Sequence, residues 1–287
     1  MRRVKLTAAI ATALPGAAAK GSPRAAETGT TMRTVTKLLA AVCLAIAAAG
    51  LSGCIPTSKS TAGWGFVGIP YWQADPYTQT IVFGDSLTVA TFQDSGGPGW
   101  FLLHLRNNTG GHPAAVAAVG GISYAHFVTP SLAAPEYSTI PDYEKFLRPR
   151  VTVLALGTND GRLIAGNYGG YTQQDFQQSA AKAIDSALAV NSCVVLVDTT
   201  THYYPPDVPA YPAQAAGINA YLQSRVQSGG GRVRMAQKDG KSWDEYSAGR
   251  ADWFLNNGGD YHHTAAGINE YRGFITDNIK SAYDAGC

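Results

Sequence analysis

Hydrophobic and polar positions alternate along this chain in two rhythms. Short, mainly apolar runs occur at Thr80-Ile81-Val82-Phe83, Ala114 to Val119, Val151 to Leu156, Cys193 to Val197 and Val233 to Met235. Runs of this kind predict buried strands, as in a parallel sheet. Between them, apolar residues recur at three and four over Thr172 to Val190, Ala213 to Gln227 and Thr264 to Tyr283, which predicts amphipathic helices. Strand and helix in alternation imply an α/β layer fold.

The first 53 residues lie outside this pattern. They are rich in Ala and poor in acids and aromatics. Met32-Arg33-Thr34-Val35-Thr36-Lys37 forms a basic start, followed by the apolar run Leu38 to Leu51 and then Ser52-Gly53-Cys54. That order is the order of a secretion signal. The apolar run is shorter than the ~20 residues needed to cross a bilayer. Translation starts at Met1 or at Met32, and the sequence leaves both open. Residues 54–63 read as a polar tether, and residues 64–287 as one globular domain opening with an aromatic segment.

Charge changes sign with this division. Residues 1–53 hold seven of the 22 Lys and Arg and one of the 20 Asp and Glu, leaving 15 against 19, a formal charge of −4. No basic cluster remains for a phosphate backbone, so nucleic-acid binding is not expected. Of the four cysteines, Cys43 lies in the signal-like segment and Cys54 directly after it, which leaves Cys193 and Cys287 in the globular part. In an oxidising exterior they pair or stay as two thiols. No spacing suggests a metal site.

In α/β sheets the chemistry collects at the carboxyl ends of strands. The first strand ends in Gly84-Asp85-Ser86-Leu87, with a hydroxyl at the start of the next helix. The second ends in Gly120-Gly121, where a bare backbone N–H can approach a substrate oxygen. The third ends in Gly157-Thr158-Asn159-Asp160, offering a side-chain amide, with Asp160 placed to orient the loop. Ahead of the last helix stands Asp260-Tyr261-His262-His263-Thr264-Ala265-Ala266-Gly267, a carboxylate and two imidazoles. Each motif has a plainer reading: Ser86 as a helix N-cap, Asp260 as a turn residue. His104, His112, His126 and His202 are expected on the surface or in packing, and the loop His202 to Asp207 either shapes a pocket or is simply packed.

The four motifs in this order resemble the SGNH or GDSL family of esterases and lipases, over residues 79 to about 283. The resemblance implies a three-layer α/β/α sandwich around a central parallel sheet, flavodoxin-like, with serine acyl-enzyme chemistry and no metal or cofactor. It assigns Ser86 as nucleophile, Asp260 as orienting acid, and an oxyanion hole of the Ser86 and Gly121 N–H groups with the Asn159 amide. The histidine is ambiguous. The Asp-x-x-His spacing selects His263, and the following His-x-Thr-x-x-Gly selects His262; His263 is preferred, with His262 the alternative base. Leu51-Ser52-Gly53-Cys54 resembles the bacterial lipobox and makes Cys54 the lipid attachment site of an extracytoplasmic, membrane-anchored lipoprotein. The expected substrate is a small-molecule, lipid or glycan ester, and the expected state a monomer. Two rivals share the fold: an envelope glycan O-acyl transferase or deacetylase, and a non-catalytic surface binding protein. A Gly-x-Ser-x-Gly elbow is absent, which argues against a different hydrolase class.

Overall fold

The computed structural model describes residues 66–68, 77–93, 105–129 and 138–287. The leader at 1–53, Cys54 and the tether at 54–63 lie outside the described residues, as does most of the aromatic segment that follows. Six strands form one sheet: β1 (Phe66–Gly68), β2 (Thr80–Gly84), β3 (Ala114–Val119), β4 (Val151–Ala155), β5 (Cys193–Leu196) and β6 (Val233–Met235), in spatial order β1-β3-β2-β4-β5-β6. All neighbours from β3 to β6 run parallel. The short edge strand β1 is antiparallel to β3 and had no counterpart among the predicted strands.

Helices fill the two outer layers, among the described residues α1 (Ser86–Gln93), α2 (Tyr124–Val128), α3 (Ile140–Leu147), α4 (Thr158–Ala165), α5 (Gln173–Ala189), α6 (Tyr211–Ser228), α7 (Trp243–Ser247) and α8 (Ala265–Asp284). Successive strand residues face opposite sides, and the cores divide accordingly. Ile81, Phe83, Leu154, Val194 and Leu196 pack with Tyr124, Tyr143, Phe176, Ile184 and Ile218 from α2, α3, α5 and α6. Val82, Val151, Val153 and Val195 pack on the other side with Leu87, Trp243, Tyr271, Phe274 and Ile275 from α1, α7 and α8. This is the expected three-layer sandwich.

Local chemistry sets where helices begin. Thr172 caps α5 by accepting from the Asp175 N–H, while the Asp175 carboxylate reaches back to Thr172. Phe176, Ala180, Ala183, Ile184 and Ala187 then form its buried stripe. Thr139 and Asp142 repeat the same box on α3, which stops at Arg148 in a left-handed conformation. Helices α2, α3 and α4 were not among those predicted: at five to eight residues they are too short for a 3.6-residue period to declare itself.

Cys193, opening β5, and Cys287 form a disulfide with their Cα atoms 5.8 Å apart. No described helix is long and apolar enough to cross a membrane.

Glu144 of α3 is buried against the sheet, where Thr152 donates to its Oε1 at 2.7 Å. Burial pushes this carboxyl from the ordinary 4.5 up to about 8. The folded chain therefore holds the proton more tightly than the unfolded chain, and folding stability falls as pH rises from about 4.5 to about 8. Glu144→Gln is expected to flatten that decline. Urea midpoints at pH 5 and pH 8 for both proteins check it, and equal changes between the two pH values would refute it.

Candidate active site

The first of the parallel strands, β2, lies inside the sheet between β3 and β4. From β2 the chain steps to β3 on one side and later to β4 on the other, so the carboxyl end of β2 lies at the point where the winding reverses. Register makes the three ends level: Gly84 pairs with Ala118 of β3 and Ala155 of β4. The residues that follow therefore emerge side by side, which brings Ser86, Gly121 and Asn159 to one crevice.

Ser86 is the first residue of α1. The capping role belongs to its neighbour: Asp85 Oδ1 accepts from the Leu87 N–H at 3.0 Å. The Ser86 hydroxyl is thus spared from capping, and it lies 3.0 Å from Nε2 of His262. Nδ1 of the same ring lies 2.8 Å from Asp260 Oδ1, which also accepts from the His262 N–H at 3.0 Å. Hydroxyl, imidazole and carboxylate form one hydrogen-bonded line.

This arrangement corrects the preference for His263. The segment carrying both histidines is extended and bridged to the chain before it: Phe254 pairs with His263, Leu255 N–H donates to His262 O, and Thr264 N–H donates to Trp253 O, both at 2.8 Å. Neighbouring side chains on an extended segment point to opposite sides. His262 faces Ser86. His263 is buried 5.3 Å from the ring of Trp243, 5.1 Å from Phe254 and 4.9 Å from Tyr271, with no hydrogen-bond partner on either nitrogen among the described residues. Asp260 reaches the backbone and the ring of the same residue, a turn geometry that requires an offset of two rather than three. The other spacing carried the signal: Thr264 caps α8 by accepting from the Gly267 N–H. A Cβ at Gly267 would stand 2.1 Å from the Trp253 carbonyl, so the helix start is held against the bridge and His262 is counted from it.

The oxyanion candidates lie around the same crevice. Gly121 has φ +77°, a conformation that suits glycine. Asn159 donates through Nδ2 to the Ile122 carbonyl at 3.0 Å, which ties the β4 end to the β3 end, with Asp85 Oδ2 a further 3.5 Å contact. Asp160 orients the loop as expected, accepting from the Tyr124 N–H at 3.1 Å and the Tyr171 hydroxyl at 2.7 Å. Burial pushes Asp160 up to about 6 and Asp85, with Asp160 nearby, up to about 7.

The remaining histidines are surface or packing residues where described. His112 stacks on Tyr283, His202 lies 3.7 Å from Asp244, and His126 bonds Ser123 at 2.7 Å; His104 falls outside the described residues. The loop after β5 is packed rather than open: Tyr203 stacks on Phe254 and Tyr204 on Tyr211. Sequence reading missed a cavity of about 530 Å³ beside the crevice, lined by Gly120, Gly121, His126, Asn159, Arg162, Leu163 and Tyr168. Among the described residues no cluster of three or more His, Cys, Asp and Glu is arranged to hold a metal ion.

No protein-family model matches the sequence, and no curated protein matches it. Solved structures do. A GDSL-like lipase from Bacteroides thetaiotaomicron superposes with a TM-score of 0.50 at 16% identity, over 71% of this chain and 89% of that one. TesA gives 0.50 at 17% identity, over 71% and 98%. An acetyl xylan esterase, AlAXEase, gives 0.51 at 17% identity, also over 71% and 98%. The chain therefore has the GDSL-type, or SGNH, hydrolase fold.

Burial pushes the His263 imidazole from the ordinary 6.5 down to about 3, with the neighbouring His262 adding to the effect. The folded chain keeps this ring neutral, so its contribution to stability is full above pH 6.5 and is lost as pH falls toward 3. His263→Phe is expected to make acid destabilisation shallower, whereas His262→Phe leaves that slope in place. Denaturant midpoints at pH 7 and pH 4 decide, and identical slopes in wild type and His263→Phe would count against it.

Proposed function

We propose that this chain is a serine ester hydrolase working through an acyl-enzyme, exported and held at the membrane by a lipid on Cys54. The hydrogen-bonded line from Ser86 through His262 to Asp260 carries the reading. A serine hydroxyl is a weak nucleophile until a base takes its proton, and His262 Nε2 is within reach to do so. Asp260 holds the proton on Nδ1, which leaves Nε2 as the acceptor. Ser86 Oγ adds to the ester carbonyl and its proton passes to His262, while the carbonyl oxygen takes the negative charge. The N–H groups of Ser86 and Gly121 and the Asn159 amide receive that charge. His262 then protonates the leaving alcohol, the Ser86 acyl ester remains, and water activated by the same ring releases the acid.

A glycan deacetylase is the second reading, supported by Tyr168, whose half-exposed ring borders the cavity beside Asn159 and offers a face for a sugar. The similarly folded AlAXEase is, by its name, an acetyl xylan esterase. A non-catalytic binding role loses its motive, because the irregular histidine spacing it rested on is the spacing that supports His262 as base. The lipoprotein reading rests on Leu51-Ser52-Gly53-Cys54 behind an apolar run.

Residues 55–287 are expected to hydrolyse p-nitrophenyl acyl esters. Ser86→Ala and His262→Ala lower kcat by about 10⁴-fold or more. Asn159→Ala costs about 10²–10³-fold. Folded wild type no faster than Ser86→Ala across short and long acyl chains, or activity that depends on His263 instead, would overturn the assignment. In the full chain, Cys54→Ala should move the protein from the membrane fraction to the soluble one; unchanged fractionation argues against the anchor.

A further inference from the structure

The cavity beside the crevice carries a charge that the chain itself does not answer. Asn159, Arg162 and Leu163 share one face of α4, at spacings of three and four, and all three line the cavity. The Arg162 guanidinium offers five N–H donors. Among the described residues its side-chain partner is the neutral Tyr261 hydroxyl, at 3.4 Å. Among the described residues no carboxylate forms an ion pair with it, whereas Arg225 holds Asp185 and Arg250 holds Asp252. The nearby acids are committed elsewhere: Asp160 to Tyr124 and Tyr171, Asp260 to His262. A guanidinium one helical turn from an oxyanion donor, half-buried and facing a cavity, is suited to planar two-point binding of a carboxylate.

The surroundings narrow the ligand. Burial pushes His126 below its ordinary value, so it adds no second positive charge at neutral pH. One guanidinium matches one negative charge better than a doubly charged phosphate. Tyr168 and Leu163 supply an apolar face beside it. We propose that the ester accepted by this site carries a carboxylate, bound by Arg162, on a small body that lies in the cavity against Tyr168. The proposal rests on the esterase reading and adds the substrate class to it.

Two matched pairs test it: 4-acetoxybenzoate against its methyl ester, with the charge on the alcohol part, and mono-4-nitrophenyl adipate against its methyl ester, with the charge on the acyl part. Wild type is expected to favour the charged member of one pair, and that pair identifies the side. In Arg162→Gln the charged-to-neutral ratio of kcat/KM falls about ten- to a hundredfold, mainly through KM. Arg162→Lys keeps part of the preference and carries the test if Arg162→Gln does not fold. Added salt reduces the wild-type ratio. Equal rates within both pairs, or a ratio unchanged in the folded variants, overturns the proposal. Ser86-dependent hydrolysis without a charge preference sinks this proposal alone; no Ser86-dependent hydrolysis of any of the four esters sinks the esterase reading with it.

Discussion

The level register of three parallel strands is the constraint on which the site depends. Because Gly84, Ala118 and Ala155 stand abreast, three loops leave the sheet at one height and their first residues become neighbours. Hydroxyl, glycine N–H and amide are brought together by backbone pairing, before any of their side chains interact. A slip of one residue would turn every strand side chain to the opposite face and exchange the two cores. The sandwich therefore protects the register: Ile81 and Phe83 belong to one layer and Val82 to the other, and neither layer can accept the other's set without repacking.

Beneath the crevice, polar groups are fastened to one another rather than to solvent. Asp85 caps the helix that Ser86 begins, Asn159 bonds the Ile122 carbonyl, and Asp160 anchors the start of α2 and the Tyr171 hydroxyl. Each links two loops that follow different strands, or a loop to the helix it begins. Buried acids in such positions are costly unless hydrogen-bonded, and here the bonds that satisfy them are the ones that hold the loops in place. Asp85, Asn159 and Asp160 are thus structural supports around Ser86.

The fold was legible because its strands are mainly apolar and its long helices keep period. The missing elements, β1 and the short helices, fall below the length at which periodicity speaks. Ser86, Asp260, Gly121 and Asn159 were legible from their places at element ends. The histidine was not, since two rulers disagreed by one residue. A carboxylate at the tip of a turn reaches a range of positions, whereas Thr264 is fixed by the helix it caps and by its bond to Trp253. The stiffer ruler selects the histidine that bonds both Ser86 and Asp260. Arg162 escaped notice because an isolated arginine within a helix has no sequence signature; its meaning comes from a cavity built by the end of β3, α2, α4 and the turn after α4, and from acids occupied elsewhere.

The disulfide divides the site in a way the fold diagram hides. Cys193 and Cys287 are 94 positions apart, and the chain between them contains Asp260 and His262, while Ser86, Gly121 and Asn159 lie outside it. Two of the candidate site residues sit on a closed covalent ring, and the other three on the open remainder. One backbone cut anywhere within the ring opens it without releasing a fragment. A protease would have to cut this part of the chain twice before it could carry His262 away.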